Sequence, residues 1–137
     1  MKNVQGEKLA KFYGYYRVDF DDRELGEGRS AMVLILSILK GDILAKTPAA
    51  KLPNSDPSTI RRQALETIDI LNSHNIFFAD LDLQRFLISP QDSLPKMFSF
   101  SLAFDGMEYR TEAERKMHAE GTIFQIKHEL DSLGYLE

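Results

Sequence analysis

Residues 71–103 read LNSHNIFFADLDLQRFLISPQDSLPKMFSFSLA, and this stretch sets the rest of the chain in order. Ile76–Asp80 is a short apolar run. Arg85–Ser89 and Lys96–Ser101 flank Pro90-Gln91-Asp92-Ser93, four turn-forming residues, which predicts a hairpin between two short strands. Just upstream, Asp56 is placed to cap a helix and Pro57 suits its first position. Ile60, Ala64, Leu65, Ile68 and Leu71 then share one helical face, with Arg61, Arg62, Glu66 and Asp69 opposite. Strands and helices therefore mix within one short region, and the expected class is α+β.

Toward the N-terminus, Val4–Ala10 is short and polar and compatible with a helix end. FYGYYRVDF (12–20) is aromatic and β-branched and reads as a strand. Asp21–Ser30, charged and carrying two glycines, is the expected connecting loop. Ala31–Leu39 (AMVLILSIL) is almost continuously apolar and bounded by turn signals, which predicts a strand buried on both faces. A short helical turn at Asp42–Ala45 leads into Lys46–Pro57, whose three prolines mark an irregular connection. Toward the C-terminus, Thr111 and Glu114 form a capping box that opens a last helix. Met117, Phe124, Lys127 (through its stem), Leu130 and Leu133 follow at helical spacing. Gly121 interrupts that segment, so Glu112–Leu133 reads as one helix or two, and Gly134 suits a left-handed end.

The chain has 137 residues, 43% hydrophobic and 28% charged, which fits one domain spanning 1–137 and excludes a disordered or collagen-like composition. No apolar run approaches the roughly 20 residues needed to cross a bilayer, and the first residues have no secretory h-region. The expected location is intracellular, in the cytoplasm, with no membrane partner. Net charge is −4 with a pI near 5.4, so no nucleic-acid backbone partner is expected. Cysteine is absent. Disulfides, thiolate nucleophiles and cysteine metal sites are thereby excluded.

Few constellations carry chemistry. Leu25-Gly26-Glu27-Gly28 with Val33 looks like a phosphate-covering glycine loop, but the third glycine is missing and Lys40 is too close. A plain hairpin loop is the expected role. His74, His118 and His128 include no i, i+4 pair, so no metal site and no cofactor are expected. Glu114 and His118 have that spacing, and a solvated helix face is the expectation for them. No G-x-S-x-G elbow occurs. Asp80 and Asp82 beside an apolar segment could serve acid–base chemistry, or simply cap turns.

Order and spacing along 71–103 resemble the catalytic-loop region of the protein kinase fold. That family has a helix, a short apolar strand, His-Arg-Asp-Leu, an Asn five residues after the Asp, a hairpin, and Asp-Phe-Gly. Here Leu71-Asn72 ends the helix and Phe78-Ala79-Asp80-Leu81 stands at His-Arg-Asp-Leu. Arg85 stands at the Asn, Phe86-Leu87-Ile88 is the following strand, and Ser99-Phe100-Ser101 falls at Asp-Phe-Gly. Upstream, Lys11–Tyr16 is similar to the fourth strand of fungal kinase-like proteins. Leu34–Gly41 (LILSILKG) is similar to the fifth strand and hinge, with Ser37 where an acidic residue is common. The resemblance spans Lys8–Ala103, about 70% of the chain.

The resemblance implies a partial protein kinase-like fold. Residues 1–41 would be remnant small-lobe strands and hinge, and 42–137 part of the helical lobe. It also implies that the glycine loop, the lysine strand and most of the glutamate-bearing helix are missing. Asp80 would be the vestige of the catalytic aspartate. Arg85 would put a positive charge, and Ser99 an uncharged group, where the family holds Mg²⁺. The implied function is a non-catalytic, pseudokinase-like interaction or regulatory module without ATP and Mg²⁺ machinery, and phosphoryl transfer is not expected. A protein partner or a second copy of the chain would dock on the exposed strand Ala31–Leu39. The alternative is a small enzyme using an Asp80/Asp82 carboxylate site on a repurposed scaffold.

Overall fold

A computed structural model describes residues 5, 7–22, 27–37, 39–109 and 111–137, and among these it holds three small antiparallel sheets, two α-helices and short 3₁₀ turns. In chain order the elements are β1 (Phe12–Asp22), β2 (Glu27–Leu36), β3 (Asp42–Ile43), α1 (Pro57–Ser73), β4 (Ile76–Phe78), β5 (Phe86–Ile88), β6 (Pro95–Met97), β7 (Ala103–Asp105) and α2 (Glu112–Ser132). Among the described residues, β1 pairs with β2, β3 with β5 and β5 with β6, and β4 pairs with β7. The architecture is mixed α+β.

Helix α1 starts where local chemistry puts it. The Asp56 carboxylate accepts the Ser58 backbone N–H at 3.1 Å and the Thr59 hydroxyl at 2.6 Å, with Pro57 supplying a pre-set φ. Its buried face, Ile60, Ala64, Ile68 and Leu71, shares a core with Ile126 and Leu130 of α2, Leu44 just after β3, and Phe86 and Met97 from the three-stranded sheet. Each large apolar side chain withdrawn from water there contributes about 1.5–3 kcal/mol. Tyr135, fully buried beyond the end of α2, ties the C-terminal segment to this core.

The hairpin β5–β6 pairs Phe86 with Met97, Leu87 with Lys96 and Ile88 with Pro95. It is shorter than expected on its second arm. The strand is assigned only to Met97; the Phe98 N–H still makes one in-register bond, to the Arg85 carbonyl at 3.0 Å, before the chain turns, the Ala103 N–H bonding the Phe100 carbonyl at 3.1 Å. The helical turn expected at 42–45 begins as the two-residue strand β3 and becomes a 3₁₀ turn at Leu44–Lys46. Lys8–Ala10 is not helical: Lys8 lies in a turn and Leu9 forms an isolated bridge to Met97. The Met97 N–H donates to the Lys8 carbonyl at 2.8 Å, the Ala10 N–H donates to the Met97 carbonyl at 3.0 Å, and Leu9 is buried.

The first hairpin is longer than its sequence suggests. Pairing runs from Phe12–Leu36 to Asp22–Glu27, so most of the expected loop 21–30 is strand, and the residues between lie outside the described set. β2 covers Glu27–Leu36 and not Ala31–Leu39. It ends because Ser37 closes the ladder, its N–H on the Lys11 carbonyl (2.7 Å) and its Oγ accepting the Lys11 N–H (2.8 Å). The side chains of 31–36 also lie outside the described residues, and the expected two-faced burial with them. Among the described residues β2 pairs with β1 alone.

Two other expectations are corrected. Arg61, assigned to the polar face of α1, is 6% exposed, because Asp131 and the carbonyl of Tyr135 reach it from the C-terminal segment. On α2, Met117 and Phe124 are 70% and 76% exposed; Ile126 and Leu130 are the buried positions. Glu112–Ser132 is one uninterrupted helix opened by the Thr111–Glu114 capping box, and Gly121 lies inside it without a break. Gly134 follows with φ +85°, the left-handed end expected for it.

A candidate site around Arg85

The chain before Asp80 is fixed from two sides. The Ala79 N–H donates to the Leu102 carbonyl at 3.0 Å, extending the β4–β7 pairing by one bond. From α2, His118 Nε2 lies 2.7 Å from the Phe78 carbonyl, and Nδ1 lies 2.7 Å from the Tyr109 hydroxyl. A carbonyl only accepts, so Nε2 carries a proton and donates to it. The imidazole packs edge-on to Phe77 and Phe104, at centroid distances of 5.6 and 5.7 Å. His118 is thus a half-buried anchor and not part of a solvated Glu114–His118 face; Glu114 instead completes the capping box.

After Asp80 the chain turns through Leu83–Arg85. The Asp82 carboxylate accepts the Gln84 N–H at 2.9 Å, and Glu129 of α2 accepts the Leu83 N–H at 3.1 Å. The carboxylate of Asp82 therefore caps the turn that delivers Arg85. Asp80 is exposed, and its carboxylate makes no hydrogen bond or ion pair among the described residues.

Arg85 is the centre of the arrangement. Its Nη1 donates to Ser99 Oγ at 3.3 Å and Ser101 Oγ at 2.7 Å, and its Nη2 donates to the backbone carbonyl of Asp80 at 3.0 Å. The two serine hydroxyls are 3.1 Å apart. The guanidinium carbon sits 5.8 Å from the centre of the Phe78 ring, close enough for a cation–π contribution of about 0.5–1 kcal/mol. Its Nε is buried and has no hydrogen-bond partner.

Phe78, Asp80, Arg85 and Ser99 are therefore brought together, with Ala79 between the first two. Arg85 meets Asp80 through the backbone carbonyl. Ser101, given no role of its own by the sequence, and His118, expected on a solvated helix face, also belong to the arrangement. The Ser-x-Ser spacing at 99 and 101, which puts alternate residues of an extended chain on one side, was the available signal for Ser101. Nothing local pointed to His118, 40 residues beyond the carbonyl it binds.

Nearby, a cleft of ≈ 350 Å³ is lined by Leu39 and Lys40, by Leu87 and Ser89 of the β5 arm, and by Pro90, Gln91 and Lys96. Among the described residues no group of three or more His, Asp or Glu side chains is placed to hold a metal ion, and no helix is long and apolar enough to cross a membrane. The chain matches no protein-family model and no curated protein.

Proposed function

We propose that this chain is a non-catalytic interaction or regulatory module on a pseudokinase-like scaffold, in which Arg85 stands where a kinase would hold Mg²⁺. The observation that carries this is the 3.3 Å contact between Arg85 and Ser99, 14 residues apart. Under the resemblance these two positions are the family's two metal ligands. Two ligands of one ion must come within a few ångströms of it, so their close approach here supports the alignment. Their identities remove the function. A fixed guanidinium repels a dication, and a neutral hydroxyl is a poor substitute for a carboxylate. The cleft between Leu39-Lys40 and Leu87 also fits the place of a hinge facing the strand after the catalytic loop.

Titration with Mn²⁺, a paramagnetic stand-in for Mg²⁺, tests this residue by residue. No selective broadening of amide signals at 80, 85 and 99 is expected, and selective broadening there at micromolar Mn²⁺ would overturn the assignment. The small-enzyme alternative draws less support, because the carboxylate of Asp82 is engaged as a cap while that of Asp80 is exposed.

The interaction role rests on the first hairpin. A two-stranded ribbon is marginal alone, and a strand with one neighbour offers its other edge to a second chain. A protein partner, or a second copy of this chain, adding a strand along β2 is the expected mode. Monomeric light scattering combined with full hydrogen-exchange protection of both edges of β2 would rule it out.

A further inference from the structure

We propose that Arg85, Ser99 and Ser101 form a metal-independent binding site for a phosphate group. The proposal stands on the geometry of these side chains and does not need the kinase resemblance. Arg85 is half-buried, yet its hydrogen-bond partners among the described residues are all neutral, two hydroxyls and one backbone carbonyl, beside the uncharged Phe78 ring. No carboxylate of the described residues pairs with it, whereas Lys8, Arg61 and Arg62 each have one. Its charge is therefore solvated by dipoles and remains uncompensated.

Proton counting shows what the group can still offer. A guanidinium has five N–H donors. Nη1 directs its two to Ser99 and Ser101, and Nη2 directs one to the carbonyl of Asp80. One Nη2 proton is left to offer; the Nε proton is buried without a partner and is not reached from solvent. Of the two serine hydroxyls, 3.1 Å apart, one donates to the other and the second keeps its proton. Both serines already accept from the cation, so a small rotation turns a hydroxyl toward an oxyanion on the same side. Ser101 and Asp80 are exposed, which leaves that side open to solvent.

A tetrahedral oxyanion fits this set better than a cation or a neutral ligand. It offers several acceptor oxygens to converging N–H and O–H donors and supplies the missing charge. Asp80 works against it. Its exposed carboxylate belongs to the same residue as the carbonyl that Arg85 grips, so it sets a weak rather than a tight affinity.

The test is a ¹H–¹⁵N titration of the whole chain at constant ionic strength with chelator present, using inorganic phosphate in one arm and O-phosphoserine in the other. Saturable shifts centred on 80, 85, 99 and 101 are expected in at least one arm. The arm that saturates first identifies the free ion or the phosphate ester as the ligand. Asp80→Asn is expected to tighten binding by about two- to fivefold, by removing one nearby negative charge. Arg85→Met is expected to abolish it. If that variant does not fold, Ser99→Ala/Ser101→Ala carries the test, because it keeps the arginine and is expected to weaken binding by about tenfold. Absence of saturable shifts in both arms, shifts spread evenly over all basic residues, or no response to Asp80→Asn would each overturn the site.

Discussion

Arg85 and Ser101 lie on either side of the β5–β6 hairpin, and the guanidinium reaches the hydroxyl at 2.7 Å. Both residues are held from behind. The Arg85 carbonyl accepts the Phe98 N–H at 3.0 Å, and the Leu102 carbonyl, next to Ser101, accepts the Ala79 N–H at 3.0 Å. The contact is thus built by backbone pairing in two different sheets, and it does not depend on surface side chains meeting by chance.

Two glycines should respond to alanine in opposite directions. Gly41 has φ +143°, and a Cβ there would lie 2.0 Å from the Ile88 carbonyl oxygen, against the backbone of β5. Gly41→Ala is expected to cost about 3 kcal/mol or more, since neither strain nor clash can relax without breaking the β3–β5 pair. Gly121 is helical and a Cβ there meets nothing within 4 Å. Gly121→Ala should stabilise by about 0.5–1 kcal/mol. Urea denaturation of both variants checks the pair, and the same sign for both would refute the backbone account.

The Arg61–Asp131 pair is asymmetric, with side chains 8% and 50% exposed. Removing Asp131 leaves a buried cation with the Tyr135 carbonyl as its remaining acceptor, at 2.9 Å. Removing Arg61 leaves a carboxylate that water can reach. Asp131→Ala is therefore expected to destabilise more than Arg61→Met, by about 1–2 kcal/mol. Equal losses in chemical denaturation would mean the pair contributes only as a surface ion pair.

The Thr111–Glu114 capping box satisfies two backbone N–H groups reciprocally, at 3.2 and 3.1 Å. Thr111→Ala should cost about 1 kcal/mol, read as a lowered denaturation midpoint with an unchanged m-value. A changed m-value would indicate that α2 frays as a unit instead.

Stability should fall at both ends of the pH scale for identifiable reasons. The Thr59 and Ser58 side chains hydrogen-bond the Asp56 carboxylate and hold it below its ordinary 3.8. Its contribution is present above that ordinary value and is lost as pH falls through the lowered native one. Burial raises the Tyr135 phenol above 10.0, so its contribution is full below 10.0 and disappears as pH rises through the raised value. Its hydroxyl donates to the Thr47 carbonyl. Tyr135→Phe is expected to cost about 1–3 kcal/mol near neutrality, by leaving that carbonyl unpaired, and to flatten the alkaline limb. An unchanged alkaline limb in that variant would show that another group sets it.

The features legible in the sequence are those made by neighbours in the chain. Asp56-Pro57 and Thr111–Glu114 announce helix starts because cap and first turn lie within three residues. The β5–β6 hairpin is legible because its turn lies between its arms. Arg61 was misplaced because its partners are 70 and 74 residues away. β7 escaped notice because three residues pair with β4 across an intervening hairpin. Met117 and Phe124 share the helical spacing of Leu130, and periodicity alone cannot say which of several apolar stripes on α2 meets the core. At the site, Arg85 and Ser99 are named only through the resemblance to the kinase catalytic-loop region. The partners of Arg85 there, two hydroxyls and the Asp80 carbonyl, are set by the turns that bring 80, 99 and 101 around it.

The most direct test of the account is a thermal-unfolding scan of the chain with nucleotide alone and with the same nucleotide plus millimolar Mg²⁺. A ligand at a hundredfold excess over its dissociation constant stabilises the folded state by roughly 2.7 kcal/mol, which such a scan detects readily. If Arg85 and Ser99 occupy the position proposed above for the metal ligands, Mg²⁺ is expected to add nothing to whatever ATP does by itself. A Mg²⁺-dependent rise in the midpoint would contradict the account.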